Sequence, residues 1–544
     1  MSLTSNSRRS FLSGFAKLGA AAAVAPGLTP TVAQAARTLD PTSSTAEAER
    51  RKLAYEVRNA AALYQKTQAY PEHPVNGDAL NYPSGVASYS KGVMQNAMGE
   101  PDSSAFFALS KACKSGKMED YDLVMMGGTA RFQNPLAANA YTLEGADSHQ
   151  LAMPAPPACS SAITAAEMVE NYWRALSRDV AFTDYSTSTV IQNAVAEMNT
   201  LSGYTGPKAG GKVTPDVLFR GQTPGDAAGP IVSQFLLKPI PYGGTVIPQT
   251  WRTYTPGVDY MTTYAEWLNV QNGIAPSATQ QFDSTPRYIR NLRDLAAFVH
   301  SDYPYEAFLN AACILQGLGA AVASKTNPYA QSSTMTGFVT FGPVMVFDLV
   351  ARVTAATLKA AFFQKWALHM RIRPEQFAGR VHNQLTSMAM YPIHQDLLKS
   401  NALKTVFAKN GNYLLPQAYP EGAPLHPSYP AGHACIAGAC ATVLKAFYNE
   451  AAVLASPVMP SSDGMALNPY TGGNLTVGNE LNKLAANIAL GRDSAGVHYR
   501  SDGVQGLMLG EQVATQILRE YRTTLPENYP AFSFTGFSGT PMYV

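Results

Sequence analysis

The strongest constraint on the fold of this 544-residue chain is the near absence of period-two patterning beside several long runs of helical periodicity. Apolar residues recur at helical spacing, among good helix formers, in 45–68, 163–181, 288–302, 304–323 and 342–373. The same holds for the run after His433 and for 503–521. Few stretches alternate as half-buried strands do. The stretch 203–260, with "YTGPKAGGK" and "PIPYGG", is rich in glycine and proline and reads as irregular backbone. An irregular run of that length inside a compact protein is often functional or interfacial. The expectation is an all-α protein of helical bundles with long decorated loops. A 46% hydrophobic, 14% charged composition lets such a chain build a large core and bury surface between subunits.

The first 35 residues are set apart from the fold. Arg8 and Arg9 precede Phe11 and Leu12, a mild apolar run follows, and Ala33-Gln34-Ala35 has small-residue cleavage character. This reads as a twin-arginine export signal, and implies a periplasmic or secreted protein. Without it the chain loses Arg8, Arg9 and Lys17 and no acid, leaving 37 basic against 38 acidic residues. Such a balance points to neither nucleic acid nor an anionic membrane. No later apolar run reaches the roughly 20 residues of a spanning helix. The expected organisation is a signal over 1–35, a helical region over 36–285 and a catalytic, oxyanion-binding helical region over 286–544. The five cysteines, Cys113, Cys159, Cys313, Cys435 and Cys440, form no CxxC or zinc spacing, and Cys435 and Cys440 read as buried thiols.

Three patches carry chemistry. In "QKWALHMRIRPEQF", Lys365 and Arg373 on one helix would stand about 80° and about 12 Å apart, close enough for long side chains to converge. Pro374 is expected to stop or bend that helix and leave Arg373 near its end; taken alone, the patch also fits a solvated basic helix end. In "HPSYPAGHACIAGAC", Pro427 and Pro430 stiffen the approach, Gly432 lets backbone come close to a ligand, and His433 opens a helix whose free N–H groups suit an anion. An ordinary turn histidine is the alternative. In "ALGRDSAGVHYRSD", Arg492 lies six residues before His498. An arginine fork holds oxyanion oxygens, and a neutral imidazole ligates metal or acts as nucleophile. The alternative is an Arg492–Asp493 surface pair beside a core histidine.

The order and spacing of the three are more telling than any one of them: 60 residues separate Arg373 from His433, and 59 separate His433 from Arg492. Together they resemble the signature of vanadium-dependent haloperoxidases and the related acid phosphatases of the phosphatidic acid phosphatase type 2 superfamily: lysine followed by Arg-Pro, then Pro-Ser-Gly-His, then arginine, five residues and histidine. The eight-step Lys365–Arg373 spacing, "HPSYPAGHA" and "AGVHYRSD" are most similar to algal and cyanobacterial bromoperoxidases, and the likeness extends through 219–243 and 300–311 to cover roughly 50–540.

The resemblance implies two four-helix bundles per subunit, a dimer or larger homo-oligomer, and vanadate as cofactor. It implies that His498 bonds the vanadium, that Lys365, Arg373 and Arg492 neutralise its oxygens, and that Gly432 donates a backbone N–H. His433 would act as acid and base, and Lys365 would polarise bound peroxide. Asp302 would orient Arg492. His426, where fungal chloroperoxidases carry an aromatic residue, tilts the expected halide toward bromide, with iodide or chloride as alternatives. Hydrogen peroxide, halide and a small organic acceptor are the implied partners. Ala431 departs from the family serine and removes a hydroxyl donor. Two other readings remain open: a phosphatase in which His498 attacks phosphorus, and a non-catalytic oxyanion-binding protein in which Ala431 marks a decayed site.

Overall fold

The computed structural model describes residues 42–527 and 529–544, so the export-signal reading of 1–35 lies outside the described residues. Within them the principal helices are α1 (Ser44–Thr67), α2 (Ser103–Ser115), α3 (Ala162–Leu176), α4 (Thr189–Met198), α5 (Leu292–Ser301) and α6 (Glu306–Leu318). They continue as α7 (Pro343–Phe362), α8 (Pro374–Leu385), α9 (Asn401–Asn410), α10 (Gly432–Phe447), α11 (Val477–Ala495) and α12 (Arg500–Arg522). Strand structure is limited to short antiparallel hairpins, such as β1 (Ile240–Tyr242) with β2 (Thr245–Ile247) inside the otherwise irregular 203–260 stretch. The all-α expectation therefore holds. Two compact units are present: α1 with residues 520–527, and Ala69–Arg519 with Tyr529–Val544. The second contains every residue of the site described below. No described helix is long and apolar enough to cross a membrane.

Helix α10 is the axis of one bundle. Every residue from Ala434 to Phe447 is buried, and α7, α11 and α12 pack around it. Its first turns are small (Ala434, Cys435, Ala437, Gly438, Ala439), which lets neighbouring backbones approach closely. The α10–α12 contact shows how closely. A Cβ on Gly438 would lie 2.2 Å from the Leu507 carbonyl oxygen, and one on Gly510 would lie 2.0 Å from that of Cys435. Gly510→Ala is therefore expected to force the helices apart and cost about 1–3 kcal/mol or more. Urea unfolding reads this directly; a variant as stable as wild type would show that the helices separate without penalty. Helix α11 in turn packs on α5.

A second helical core is built by α3, α4, α8 and α9 around Met168, Tyr172, Trp173, Ile191, Phe377, Val381 and Leu403. The face of α3 turned away from that core is polar yet buried: Glu167, Glu170 and Arg174 are all at most 3% exposed. Their partners outside the helix come from far along the chain. Glu170 pairs with Arg500 and Arg174, and Glu167 accepts from Arg371 at 2.9 Å. All five cysteines are free thiols, four of them buried.

Candidate functional site

Helix α7 does not run on through Arg373. It passes into a π-helical segment, Phe363–His369, closed by Met370 in the left-handed region (φ 43°). Arg373 is then the extended N-cap of α8, with Pro374 at its first turn. Proline there starts a helix rather than stopping one, because the missing N–H is unsatisfied at that position in any case. The expectation of a single helix carrying both cations is thus corrected. The wide π turn still buries Lys365 completely, and its Nζ donates to the carbonyls of Pro427 (2.7 Å) and Ser428 (2.9 Å).

Arg373, also fully buried, ties the three patches together. Its Nε donates to the His426 carbonyl (2.9 Å), one terminal nitrogen to the Val497 carbonyl (2.8 Å) and to His498 Nε2 (2.9 Å), and the other to His426 Nδ1 (2.9 Å). His498 Nε2 therefore accepts, a tautomer assigned from its partners, whereas His426 Nδ1 also lies 3.1 Å from the Pro427 carbonyl oxygen. His426 is held neutral, its pKa pushed well below the usual histidine range by burial and then by Lys365 and Arg373.

His498 and Arg492 reach the same place because α11 ends at Gly496, whose φ of 90° turns the chain sharply. A Cβ on Gly496 would meet Gln417 Nε2 at 2.7 Å, so packing as well as conformation excludes larger residues. Arg492 donates to the Val299 carbonyl (2.7 Å) on the last turn of α5, lies 5.6 Å from the Tyr419 ring centre, and leaves Nε buried without a partner. The Arg492–Asp493 surface pair does not exist: Asp493 is buried and neither carboxylate oxygen has a partner.

Asp502, to which the sequence reading gave no role, organises His498. Its Oδ2 accepts from His498 Nδ1 (2.9 Å), the Tyr499 N–H (3.1 Å) and the Ser428 hydroxyl, while Oδ1 accepts from Arg371 (2.7 Å). Despite full burial, Arg371 and His498 hold its carboxyl well below the usual carboxylate range. The result is a neutral His498, its pKa depressed mainly by desolvation and then by Arg373, with the lone pair on Nε2 facing the cations. The hint was present in "HYRSD": an aspartate four residues after a histidine at a helix start shares its face.

At the start of α10, His433 Nε2 donates to Asp302 Oδ1 at 3.0 Å. Asp302 was expected to orient Arg492. Its observed hydrogen bond is to His433, and Arg492 takes the Val299 carbonyl instead, so both residues meet the same end of α5. His433 is 28% exposed at its side chain, and so can exchange protons with solvent. Ala431 is the N-cap and offers no side-chain bond, while Gly432 occupies the first turn. A Cβ on Gly432 would touch only Leu358 Cδ2, at 3.5 Å, so the protein's own packing does not demand glycine there. Ser428, a candidate to supply the hydroxyl that Ala431 lacks, is committed to Asp502.

Ala431→Ser is expected to add a cap worth about 0.5–2 kcal/mol, because the backbone (φ −70°, ψ 123°) already has N-cap geometry. Thermal unfolding checks this; an unchanged midpoint would mean the hydroxyl fails to reach the helix N–H groups.

Lys365, Arg373 and Arg492 are thus buried cations that form no ion pair among the described residues, whereas adjacent Arg371 has two. Burial and mutual repulsion push Lys365 well below the usual lysine range and Arg373 down to about 10. Arg492 bears on both, adding to the repulsion. Three cations, helix N–H groups and one neutral imidazole nitrogen suit an oxyanion whose centre accepts a nitrogen ligand. Among the described residues no cluster of three or more histidine, cysteine or carboxylate groups could hold a bare cation.

A helical-bundle fold with such a pocket defines the class of oxyanion-binding haloperoxidases and phosphatases, and comparison with known proteins narrows it. Residues 404–526 match the family model described as the VCPO second helical-bundle domain. A vanadium-dependent bromoperoxidase of Ascophyllum nodosum is 35% identical over 478 residues, covering 84% of this chain and 86% of that one. A vanadium-dependent bromoperoxidase of Corallina pilulifera is 33% identical, over 91% of this chain and 98% of that one. The solved homohexameric second vanadate-dependent bromoperoxidase from Ascophyllum nodosum superimposes with a TM-score of 0.88 at 30% identity, covering 93% of this chain and 92% of that one. The chain belongs to the vanadium-dependent bromoperoxidase family.

Proposed function

We propose that this protein is a vanadium-dependent bromoperoxidase, oxidising bromide with hydrogen peroxide to hypobromous acid that halogenates small organic acceptors. The observation that carries the reading is the trio of buried, unpaired cations around a neutral imidazole. Lys365, Arg373, Arg492 and the Gly432 N–H would hold the vanadate oxygens, and His498 Nε2 would bond the metal. Bound vanadate supplies a Lewis-acidic vanadium(V) centre that activates peroxide toward halide without changing oxidation state.

The chain's own residues do the rest. Two of the three Lys365 ammonium donors are used by carbonyls, leaving one for a ligand oxygen. Asp302 fixes the His433 ring through Nε2, so Nδ1 is free to take and return the proton that the net reaction (Br⁻ + H₂O₂ + H⁺ → HOBr + H₂O) consumes. Asp502 fixes the tautomer that keeps His498 Nε2 a ligand. His426, packed on Arg373, belongs to the same pocket and is placed to tune the halide.

Export by the twin-arginine route and assembly as a homo-oligomer complete the reading. Arg8 and Arg9 support the first, and the homohexameric structural relative supports the second. The phosphatase reading is not favoured, since the curated relatives are named bromoperoxidases.

The test is an assay of purified protein with and without added orthovanadate. Vanadate-dependent bromination of a phenolic dye, requiring both bromide and peroxide, is expected. Hydrolysis of a phenyl phosphate ester blocked by vanadate would install the phosphatase instead, and neither activity would leave an oxyanion-binding protein without catalysis.

A further inference from the structure

Beside the oxyanion pocket lies a cavity of about 490 Å³ between α7 and the turn at Pro135–Asn139. That volume falls in the range of small-ligand sites. Ala355, Leu358 and Phe362, one stripe of α7 at helical spacing, form one wall, and Leu136 and Ala137 form the other. Two of these side chains are shared with the site itself. Leu358 is the side chain nearest the open face of Gly432, at 3.5 Å from where a Cβ would stand, and the Phe362 ring lies 5.5 Å from that of His426. The cavity therefore shares wall residues with the oxyanion pocket, and its lining is mostly apolar where that pocket is cationic. It has no carboxylate in its lining, and its one cation, Lys359, is already committed to the Tyr141 carbonyl at 2.7 Å. A cationic ligand would find no counter-charge here and an anionic one only Lys359, whereas an uncharged, apolar one would bury surface against the aliphatic and aromatic walls that make up most of the lining.

We propose that this cavity seats the organic acceptor, an uncharged, electron-rich aromatic or olefinic molecule, so that halogenation takes place on a bound substrate rather than only in bulk solution. The inference rests on the bromoperoxidase reading, because an electrophile made next door is what gives an electron-rich guest its purpose. In the transfer to an aromatic acceptor, the C–Br bond forms as the O–Br bond of hypobromous acid breaks. The carbon's proton leaves with the departing hydroxide as water, so R–H and HOBr give R–Br and H₂O.

Ala355 is exposed and mid-helix, so Ala355→Trp fills the cavity without disturbing the core or the cations. Three measurements judge the proposal: the rate ratio for bromination of indole against a sulfonated phenolic dye, saturation-transfer NMR of indole on the protein, and particle mass by light scattering. Expected are indole saturation on wild type that is lost in Ala355→Trp, a drop in the rate ratio of about tenfold, and a dye rate within about twofold of wild type. An unchanged ratio with unchanged saturation overturns the proposal. So does a smaller particle in Ala355→Trp, which would make the occupant a second copy of this chain. If wild type brominates nothing, the enzymatic reading fails on its own, and indole saturation still decides whether the cavity binds an uncharged guest.

Discussion

Asp502→Ala is expected to lower the unfolding free energy by about 3–5 kcal/mol at pH 7, the usual cost of removing one partner from a buried ionic cluster. The same change is expected to weaken vanadate binding about 10- to 100-fold. Both effects follow from geometry. Asp502 is fully buried and serves Arg371, His498, Ser428 and the Tyr499 N–H at once. Without it, Arg371 retains only Glu167 as an ionic partner, and the His498 Nδ1 proton is left with only the Ser428 hydroxyl, at 3.4 Å. The sign with pH is set by the depressed carboxyl pKa. A carboxylate whose folded pKa lies below its unfolded value stabilises above the unfolded value and loses that contribution as pH falls. The gap between wild type and variant should therefore be full at neutral pH and close below about 4. Urea unfolding across pH, paired with vanadate titration, measures both. A variant with wild-type stability at pH 7 would show that Asp502 does not anchor the cluster.

The second large effect concerns the oxyanion that these cations would hold. In the anion-free protein Lys365, Arg373 and His498 all have depressed pKa values, Arg373 at about 10. A base with a depressed folded pKa binds fewer protons folded than unfolded between its two values, so stability rises with pH across that interval. Stability should thus climb as pH rises to about 6.5, through His498, and climb again toward alkaline pH, through Lys365 and Arg373. Saturating orthovanadate or phosphate returns a counter-charge to the cations. At a hundredfold excess over Kd it should add about 2.7 kcal/mol near neutrality, and the gain should shrink as pH rises and the cations lose their protons. Unfolding curves from pH 5 to 10, with and without phosphate, test this. Indifference to the anion at every pH would mean the three cations do not share one guest.

How far the site could be read from sequence depended on whether the signal was local. The start of α10, read as His433 and observed one residue earlier at Gly432, was legible because its prolines, glycine and small residues act over one turn. So was the convergence of Arg492 and His498, because Gly496 lies between them and a six-residue spacing fits a helix end plus one tight turn. The Lys365–Arg373 link was misread because a proline after a basic helix reads as a stop, and only the left-handed Met370 reveals that a new helix begins. The partner of Asp302 lies 131 residues away, and beyond its local bonds Asp502 serves Ser428 and Arg371, 74 and 131 residues away, which no local pattern encodes. Glu167 and Glu170 are buried carboxylates that no sequence motif singles out. They are dry because Arg371 and Arg500 cover them. Helix α11, buried on nearly every side, has no clear apolar stripe and gave no periodic signal.

The unpaired thiols bear on survival. A catalyst that releases hypohalous acid is the first protein its own product meets, and sulfur is the most easily attacked element it carries. Cys435 sits two residues beyond His433, yet burial lifts its pKa to about 12, and Cys440 is lifted likewise. Oxidative attack follows thiolate content and exposure, so these sulfurs stay neutral, enclosed and slow to react. Tight packing around α10 thereby doubles as armour against self-inflicted damage.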